Sequence, residues 1–86
     1  MKIVLHKDFI KAYKKLRPAQ KRKFKERRNL FLIEPFHPLL RNHSLQGRHD
    51  GYRSINIGGD FRVIYKAFSD EICVFVAIDT HSNLYR

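Results

Sequence analysis

Two alternating runs of apolar and polar residues, YRSINI and DFRVIYK, flank Gly58 and Gly59 and constrain the fold of this chain more than any other feature. Alternation with a period of two is typical of β-strands, and a two-residue Gly-Gly connection is typical of a type I′ or II′ hairpin. A short turn at 68–70 and an apolar run from Glu71 to Ile78 predict a further strand. The second half of the chain is therefore predicted to form an antiparallel sheet.

The first half predicts a short strand and two helices. Residues 2–5, KIVL, form a β-type run; Asp8 is the expected N-cap of a first helix, and Pro18 separates it from a second helix that extends to about Ile33. The apolar faces comprise Phe9, Tyr13 and Leu16 in the first helix and Phe24, Leu30 and Phe31 in the second. The predicted fold is α+β with the order β-α-α-β-β-β: a two-helix hairpin packs on one face of an antiparallel sheet, and a short C-terminal helix or tail follows.

Length and charge limit the function classes. A chain of 86 residues is expected to be one domain, spanning 1–86. Its net charge of +10 favours a polyanionic partner, either nucleic acid or an acidic protein, although some small basic proteins are merely soluble. Cys73 is expected to be a small core residue. The chain shows no signal peptide and no apolar run of membrane-spanning length, so we expect a soluble cytoplasmic protein that does not bind membranes.

The predicted hairpin groups its charges on one face. A two-residue loop would set Ile57 opposite Asp60 and Asn56 opposite Phe61, and faces would alternate from there. On that register one face carries Arg53, Asp60, Arg62 and Lys66 among Ile55, Ile57 and Ile64, and the other carries Tyr52, Phe61, Val63 and Tyr65. For any one of these charges a solvated surface position is the simpler reading. For the whole group we favour an anion-binding concavity, with the aromatic face on the helices.

Two of the five histidines lie at predicted strand ends. His43 precedes the hairpin and His81 follows the last strand, so the two could share one edge of the sheet; the alternative is two unrelated surface histidines. His6 and His37 are expected to be surface or packing residues, and His49 could contact phosphate. No Cys, His or carboxylate cluster has metal-ligand spacing, and no phosphate-binding glycine loop is present, so neither a metal nor a cofactor is expected.

A combination of short motifs from His43 onward resembles a known family. The motifs are His-x-Leu-x-Gly at His43, Gly-Tyr-Arg at Gly51, Asp-aromatic-Arg at Asp60 and Thr-His at Thr80, with the aromatic Tyr85 near the end. Within HSLQGRHDGYRSINIGGDFRVIYK and DTHSNLY they resemble the YafQ-like branch of the RelE toxin superfamily. The order of elements is similar over the whole chain.

The resemblance implies a toxin of a type II toxin–antitoxin pair, held inactive by an antitoxin protein. Freed toxins of this kind enter the ribosomal A site and cut messenger RNA without a metal. The ribose 2′-oxygen attacks the adjacent phosphodiester, which leaves a 2′,3′-cyclic phosphate and a 5′-hydroxyl fragment. The reaction requires a base for the 2′ proton, an acid for the leaving 5′ oxygen, and cations around the phosphorane.

The resemblance also implies roles for individual residues. His43 and Asp60 match catalytic positions, His81 matches the histidine usually given the general-acid role, and Arg62 matches an arginine that stabilises the transition state. RNA contacts are expected from Arg48, Arg53, Phe61, Lys66 and Tyr85, and from the basic residues Lys21, Arg22, Lys25 and Arg28 of the second helix.

Two positions depart from the best-known YafQ-type sequence: Asn56 replaces another histidine, and Phe61 replaces a tryptophan. Asparagine removes a proton carrier but can still form hydrogen bonds. Two other functions stay open at this point. One is a non-catalytic inhibitor on the same fold, like the gyrase-poisoning relatives, and the other is a basic RNA-binding module without catalysis.

Overall fold

The computed structural model, which describes residues 1–85, contains one five-stranded sheet in the order β1-β5-β4-β3-β2. The strands are β1 (Lys2–Leu5), β2 (His43–Ser44), β3 (Arg53–Gly58), β4 (Phe61–Ala67) and β5 (Ile72–Thr80). The helices are α1 (Lys7–Lys14), α2 (Pro18–Ile33) and α3 (His81–Leu84), and single 3₁₀ turns lie at Pro38–Leu40 and Gly47–His49. The predicted α+β class is confirmed, with β2 as an additional short strand.

The sheet is mixed, which corrects the expectation of a purely antiparallel one. β1 pairs in parallel with β5, with Lys2 opposite Ile72 and Leu5 opposite Phe75. The pairs β2–β3, β3–β4 and β4–β5 are antiparallel. A parallel neighbour requires a long connection, and here both long helices and three strands lie between β1 and β5. Nothing in the four residues KIVL specifies the direction of that pairing.

The core lies between the sheet and the hairpin of α1 and α2. Phe9 and Phe24 from the helices meet Phe75 of β5, with ring centroids 5.8 and 6.1 Å from that of Phe75. Phe31, fully buried, packs edge-on against Tyr65. Truncating a buried phenylalanine typically costs about 3–5 kcal/mol, so these rings hold the two layers together. The predicted apolar faces of both helices are confirmed, but the N-cap of α1 is His6, whose Nδ1 accepts from the Asp8 N–H, and not Asp8.

The predicted register of the β3–β4 hairpin is wrong by one residue. Asn56 pairs with Arg62 and Ile55 with Val63, and the turn consists of Gly59 and Asp60 rather than Gly58 and Gly59. A β-bulge between Asn56 and Gly58 takes up the additional residue, Ile57. Gly58 and Gly59 have φ angles of 117° and 54°, a region that favours glycine, so the two glycines serve the bulge and the turn separately.

This register reassigns the faces of the sheet. The helix-side face carries Arg53, Ile55, Ile57, Val63 and Tyr65, of which the last four belong to the core. The opposite face, called the outer face below, carries Ser54, Asn56, Arg62, Ile64 and Lys66. The prediction that Arg53 shares a face with Arg62 is therefore wrong, and so is the placement of Ile55 and Ile57 beside the charges. Asn56, expected among the aromatic residues, lies directly opposite Arg62.

Within residues 1–85, no helix combines the length and hydropathy that crossing a membrane would require.

Candidate active site on the outer face of the sheet

The C-terminal helix α3 crosses the outer face. At its start the His81 N–H donates a 2.8 Å hydrogen bond to the carbonyl of Asp60 in the hairpin turn. Just past its end, the Tyr85 ring contacts the ring of His49, with 5.6 Å between centroids. These contacts connect α3 with the turn that follows β3 and with the 3₁₀ turn that precedes it. The helices α1 and α2 pack on the opposite face of the sheet. Ser54 and Ile64, which lie on the outer face, are nevertheless buried.

Hydrogen bonds from two preceding residues fix the start of α3. Thr80 is the N-cap, and its Oγ1 accepts from the Asn83 N–H at 3.2 Å. Asp79 Oδ1 accepts from the Thr80 N–H at 2.7 Å and from the side-chain amide of Asn83 at 3.0 Å. The Asp79 carboxylate therefore orients the segment that carries His81. It forms no ion pair with Arg62, its partner across β4 and β5, in the described chain.

Three aromatic rings form a row beside this segment. The His81 ring lies 4.6 Å from that of Tyr85, which in turn meets His49 edge-on. His49 Nε2 lies 3.3 Å from the carbonyl of Leu84, so that nitrogen carries the proton and donates to the carbonyl. The Tyr85 hydroxyl is buried and has no hydrogen-bond partner among the residues described. The sequence offered no signal for this contact, because His49 and Tyr85 lie on separate irregular segments.

His43 lies in β2, where it pairs with Ser54, a residue of the outer face. Its Nδ1 is 2.7 Å from the carbonyl oxygen of Arg41. A carbonyl only accepts, so Nδ1 carries the proton, and Nε2 of the neutral ring is left with a free lone pair. His43 is exposed, and it forms neither a hydrogen bond nor a ring contact with His81 in the part of the chain described. The two imidazoles share a face of the sheet without touching.

Arg62 and Asp60 lie at the tip of the hairpin. Nη1 of the half-buried Arg62 donates to the carbonyls of Gly59 and Phe61, each at 3.0 Å. These bonds hold the guanidinium near the turn and leave its remaining N–H donors available. Asp60 is exposed in the same turn, and its main chain is bonded to His81. The predicted catalytic residues Asp60, Arg62 and His81 are thus brought together at one end of the outer face.

Arg53 and Phe61, both predicted RNA contacts, lie on the other side of the sheet. Arg53 Nε donates to Asn42 Oδ1 at 2.8 Å, and its guanidinium lies over the ring of Phe36. The same Asn42 donates to the hydroxyl of Tyr65, so this network ties the connection before β2 to the sheet. Phe61 packs against the core beside Leu16 and Ile78. The structure gives both residues packing roles away from His81.

The basic residues of α2 also lie away from α3. Lys21, Lys25 and Arg28 border a groove of about 420 Å³ between α1 and α2, lined by apolar residues that include Ile10 and Tyr13. The Nζ of Lys21 lies 5.6 Å from the ring centroid of Tyr13. Arg22 is exposed on the same helix. This groove is a second basic surface, separated from the outer face by the sheet.

Two further predicted RNA contacts remain on or beside the outer face. Lys66 Nζ lies 5.5 Å from the Tyr52 ring and 5.7 Å from the Phe68 ring. Arg48 adjoins His49 in the 3₁₀ turn before β3.

Metal-ligating and nucleophilic groups are scarce. No cluster of three or more His, Cys, Asp or Glu side chains within residues 1–85 could hold a metal ion. Cys73 is buried, as predicted, and burial raises the pKa of its thiol, which disfavours the reactive thiolate.

Comparisons with known proteins agree with this arrangement. The profile of the family described as "Bacterial toxin of type II toxin-antitoxin system, YafQ" matches residues 1–86. The crystal structure of YafQ from E. coli strain BL21(DE3) is 28% identical, with a TM-score of 0.77, over 99% of this chain and 98% of that one. No significantly similar sequence is found among curated proteins.

Two solved complexes contain similar chains. In the E. coli DinJ-YafQ toxin–antitoxin complex the matching chain is 29% identical, with a TM-score of 0.75, over 99% of this chain and 97% of that one. In the archaeal RelE-RelB complex from Pyrococcus horikoshii OT3 it is 27% identical, with a TM-score of 0.73, over 92% of each chain. The whole-chain profile match decides the assignment, and the shared fold supports it. The chain belongs to the YafQ family of bacterial toxins of type II toxin–antitoxin systems.

Proposed function

We propose that this toxin is a ribosome-dependent endoribonuclease that cleaves messenger RNA. The observation that carries the proposal is the 2.8 Å bond from the His81 main-chain N–H to the Asp60 carbonyl, which places both residues at the hairpin turn that also holds the Arg62 guanidinium. His43 lies on the same face of the sheet. Cleavage by a 2′-oxygen requires a base, an acid and a cation, and two imidazoles, a carboxylate and a guanidinium can supply them.

In the proposed reaction a base takes the proton of the ribose 2′-hydroxyl, and the 2′-oxygen forms a bond to the adjacent phosphorus. The bond between phosphorus and the 5′ oxygen then breaks, and an acid protonates that oxygen. The products are a 2′,3′-cyclic phosphate and a 5′-hydroxyl. All proton transfers use side chains of the toxin, and Arg62 stabilises the negative charge that develops on the phosphorane oxygens.

The histidines differ in a way that suits different roles. The Nδ1–H of His43 is bonded to the Arg41 carbonyl, so Nε2 of the neutral ring is free to accept a proton. His81 lies beside Asp60 at the start of α3, and we assign it the acid role on its family position. Histidine suits such transfers because its unperturbed pKa is about 6.5. Asp60 would orient the imidazole of His81 or stabilise its protonated form.

The partner that we propose is a cognate antitoxin. Related toxins were solved as the DinJ-YafQ and RelE-RelB complexes. An acidic amphipathic segment would match the groove between α1 and α2, because Lys21, Lys25 and Arg28 surround an apolar floor there. Charge reversal at Lys25 should then weaken antitoxin binding. The same change at Lys7, which begins α1 but does not line the groove, should leave binding unchanged.

A cleavage assay in a reconstituted translation system tests the enzymatic function. Wild-type toxin should cut ribosome-bound message and leave 2′,3′-cyclic phosphate ends, and His81→Ala should reduce the rate about 10²- to 10⁴-fold. His6→Asn is the matched control, because His6 caps α1 on a distant surface and asparagine is a good N-cap. Full activity of a folded His81→Ala protein would contradict the proposal. So would gyrase inhibition by a wild-type toxin that leaves message intact.

A further inference from the structure

A basic groove lies at the open edge of β3, next to the candidate active site. β2 pairs with β3 only at Arg53 and Ser54, so the remainder of β3 has no strand neighbour on this side. The groove occupies that edge and measures about 420 Å³. Arginines come from three elements: Arg27 from α2, Arg41 after the Pro38–Leu40 turn, and Arg62 from β4. No acidic side chain of the described chain lines it.

Two of the guanidiniums are held by main-chain carbonyls. Arg27 Nη1 donates to the carbonyl of Leu39 at 2.8 Å, and Arg62 Nη1 donates to those of Gly59 and Phe61. In each side chain Nη1 donates to the main chain, and the other N–H groups of the guanidinium remain available to a ligand. Preorganised guanidiniums lose less conformational freedom on binding, and their planar donor forks match phosphate oxygens.

Arg41 ends the Pro38–Leu40 turn in a left-handed conformation, and its N–H donates to the carbonyl of Pro38. Its φ of 47° makes it the only non-glycine residue with a positive φ in the described chain. A left-handed conformation is unfavourable for an arginine, and unfavourable backbone conformations often persist where function requires them. In this conformation the Arg41 carbonyl accepts the Nδ1–H of His43, and its side chain lines the groove without a hydrogen-bond or ion-pair partner among residues 1–85.

The floor of the groove allows a close approach. Gly58 and Gly59 line it beside Asn56, whose Oδ1 accepts the Gly58 N–H. A Cβ at Gly59 would meet no atom within 4 Å, so a phosphate could approach the main chain closely there, whereas the corresponding space at Gly58 is filled by the Lys23 side chain. The groove also adjoins the candidate active site twice, through Arg62 at the hairpin tip and through Arg41 at His43. A single RNA strand could therefore occupy both at once.

We propose that the groove of Arg27, Arg41 and Arg62 binds an RNA phosphodiester next to the one that is cleaved. The inference rests on the proposed function, because it takes RNA as the ligand. The alternative occupant is an acidic protein segment. RNA is favoured because the groove shares Arg62 with the candidate active site, whereas guanidinium forks match both phosphates and carboxylates.

The test measures binding of the full-length toxin to a 2′-O-methyl RNA oligomer, which cannot be cleaved. Arg41→Asn should bind more weakly, and the slope of log affinity against log salt should fall in magnitude by about 0.7, the value for one phosphate contact on a single strand. Asparagine tolerates the left-handed conformation, so the melting temperature should be equal to or above that of the wild type. Arg41→Lys should keep the wild-type slope.

Lys7→Gln is the matched control, because it removes one positive charge beyond β1, at the opposite edge of the sheet. A slope for Arg41→Asn no different from that of Lys7→Gln would overturn the proposal. So would a loss of binding to polyglutamate with unchanged RNA binding, which would assign the groove to a protein partner. Because nothing is cleaved in this measurement, a groove that binds RNA would be detected even if the proposed catalysis proved wrong.

Discussion

His81 is bonded through its main-chain N–H to the carbonyl of Asp60, at 2.8 Å. The bond joins the first residue of α3 to the turn between β3 and β4, and it extends the β4–β5 pairing, in which Phe61 lies opposite Thr80. It places the last histidine of the chain within one hydrogen bond of the hairpin that carries Arg62. The position of α3 is consequently as important to the proposed catalysis as the histidine itself.

The first prediction concerns the residues that position α3. Asp79→Ala removes the acceptor of two hydrogen bonds, to the Thr80 N–H and the Asn83 amide, and should lower the free energy of unfolding by about 1–2 kcal/mol. Because it frees the segment carrying His81, it should lower kcat for message cleavage more than it raises KM. Denaturant unfolding and steady-state cleavage measure the two effects.

Ser69→Ala is the control for that prediction. Its Oγ accepts from the Glu71 and Ile72 N–H groups in the turn between β4 and β5, so the stability cost should be similar while cleavage is preserved. Equal losses of activity in Asp79→Ala and Ser69→Ala would mean that stability alone matters, and the positioning role would be rejected.

The second prediction separates the two arginines that lie on opposite faces of the sheet. Arg62→Gln should reduce cleavage strongly, by about 10²-fold or more, because it removes a cation from the developing phosphorane charge. Arg53→Gln should instead lower stability, since Arg53 bonds to Asn42 and covers the Phe36 ring. Cleavage rates and thermal unfolding of both variants provide the comparison. The reverse pattern would support the register that places Arg53 beside Asp60.

The third prediction concerns Tyr85. Its hydroxyl is buried without a partner among residues 1–85, so Tyr85→Phe should leave stability unchanged or raise it by up to about 1 kcal/mol. Tyr85→Ala removes the ring that lies between His81 and His49, and should reduce cleavage by releasing α3 from the turn before β3. Thermal melts and cleavage assays test both. A substantial loss of activity in Tyr85→Phe would show that the hydroxyl has a chemical role.

The fourth prediction is an alkaline loss of stability that depends on Cys73. Burial raises the pKa of this thiol above its ordinary value of 9.0, so the folded state holds the proton more tightly than the unfolded state. The stabilisation is complete below pH 9 and decreases as the pH rises through the pKa of the folded state. Cys73→Ala should cost about 1 kcal/mol at neutral pH, as is usual for a truncated core residue.

Between pH 8 and 10.5 the free energy of unfolding should accordingly fall less steeply for Cys73→Ala than for the wild type. Some slope should remain in the variant above pH 10, because burial also raises the pKa of Tyr65 from 10.0. Parallel curves for the two proteins would contradict the prediction.

Much of the fold follows from local patterns. The spacing of Phe9 and Tyr13 predicted the buried face of α1, and Pro18 marked the start of α2, because helical periodicity and proline geometry act over a few residues. The strands β3, β4 and β5 were recognisable from their alternation and apolar content. The parallel pairing of β1 was not recognisable, because the direction of that pairing depends on contacts with β5, which lies far along the chain.

The register of the hairpin shows where local reasoning fails. The pair Gly58-Gly59 satisfied the rule for a two-residue turn, but the bulge at Ile57 uses Gly58 and moves the turn to Gly59 and Asp60. One residue of displacement sends Arg53 to the helix side and brings Asn56 opposite Arg62. Packing of Ile55, Ile57 and Val63 against α2 agrees with this register, and the sequence of the hairpin alone does not contain that information.

By itself the sequence determined the class of the fold, the faces of the helices and the candidate residues for the proposed chemistry, because these depend on side-chain type and on spacing within one element. Only the tertiary structure decided which of those residues meet: His81 with Asp60, Tyr85 with His49, and the three arginines at the open edge of β3. Such meetings join segments distant along the chain, and their geometry is set by how the sheet, its bulge and the helices pack together.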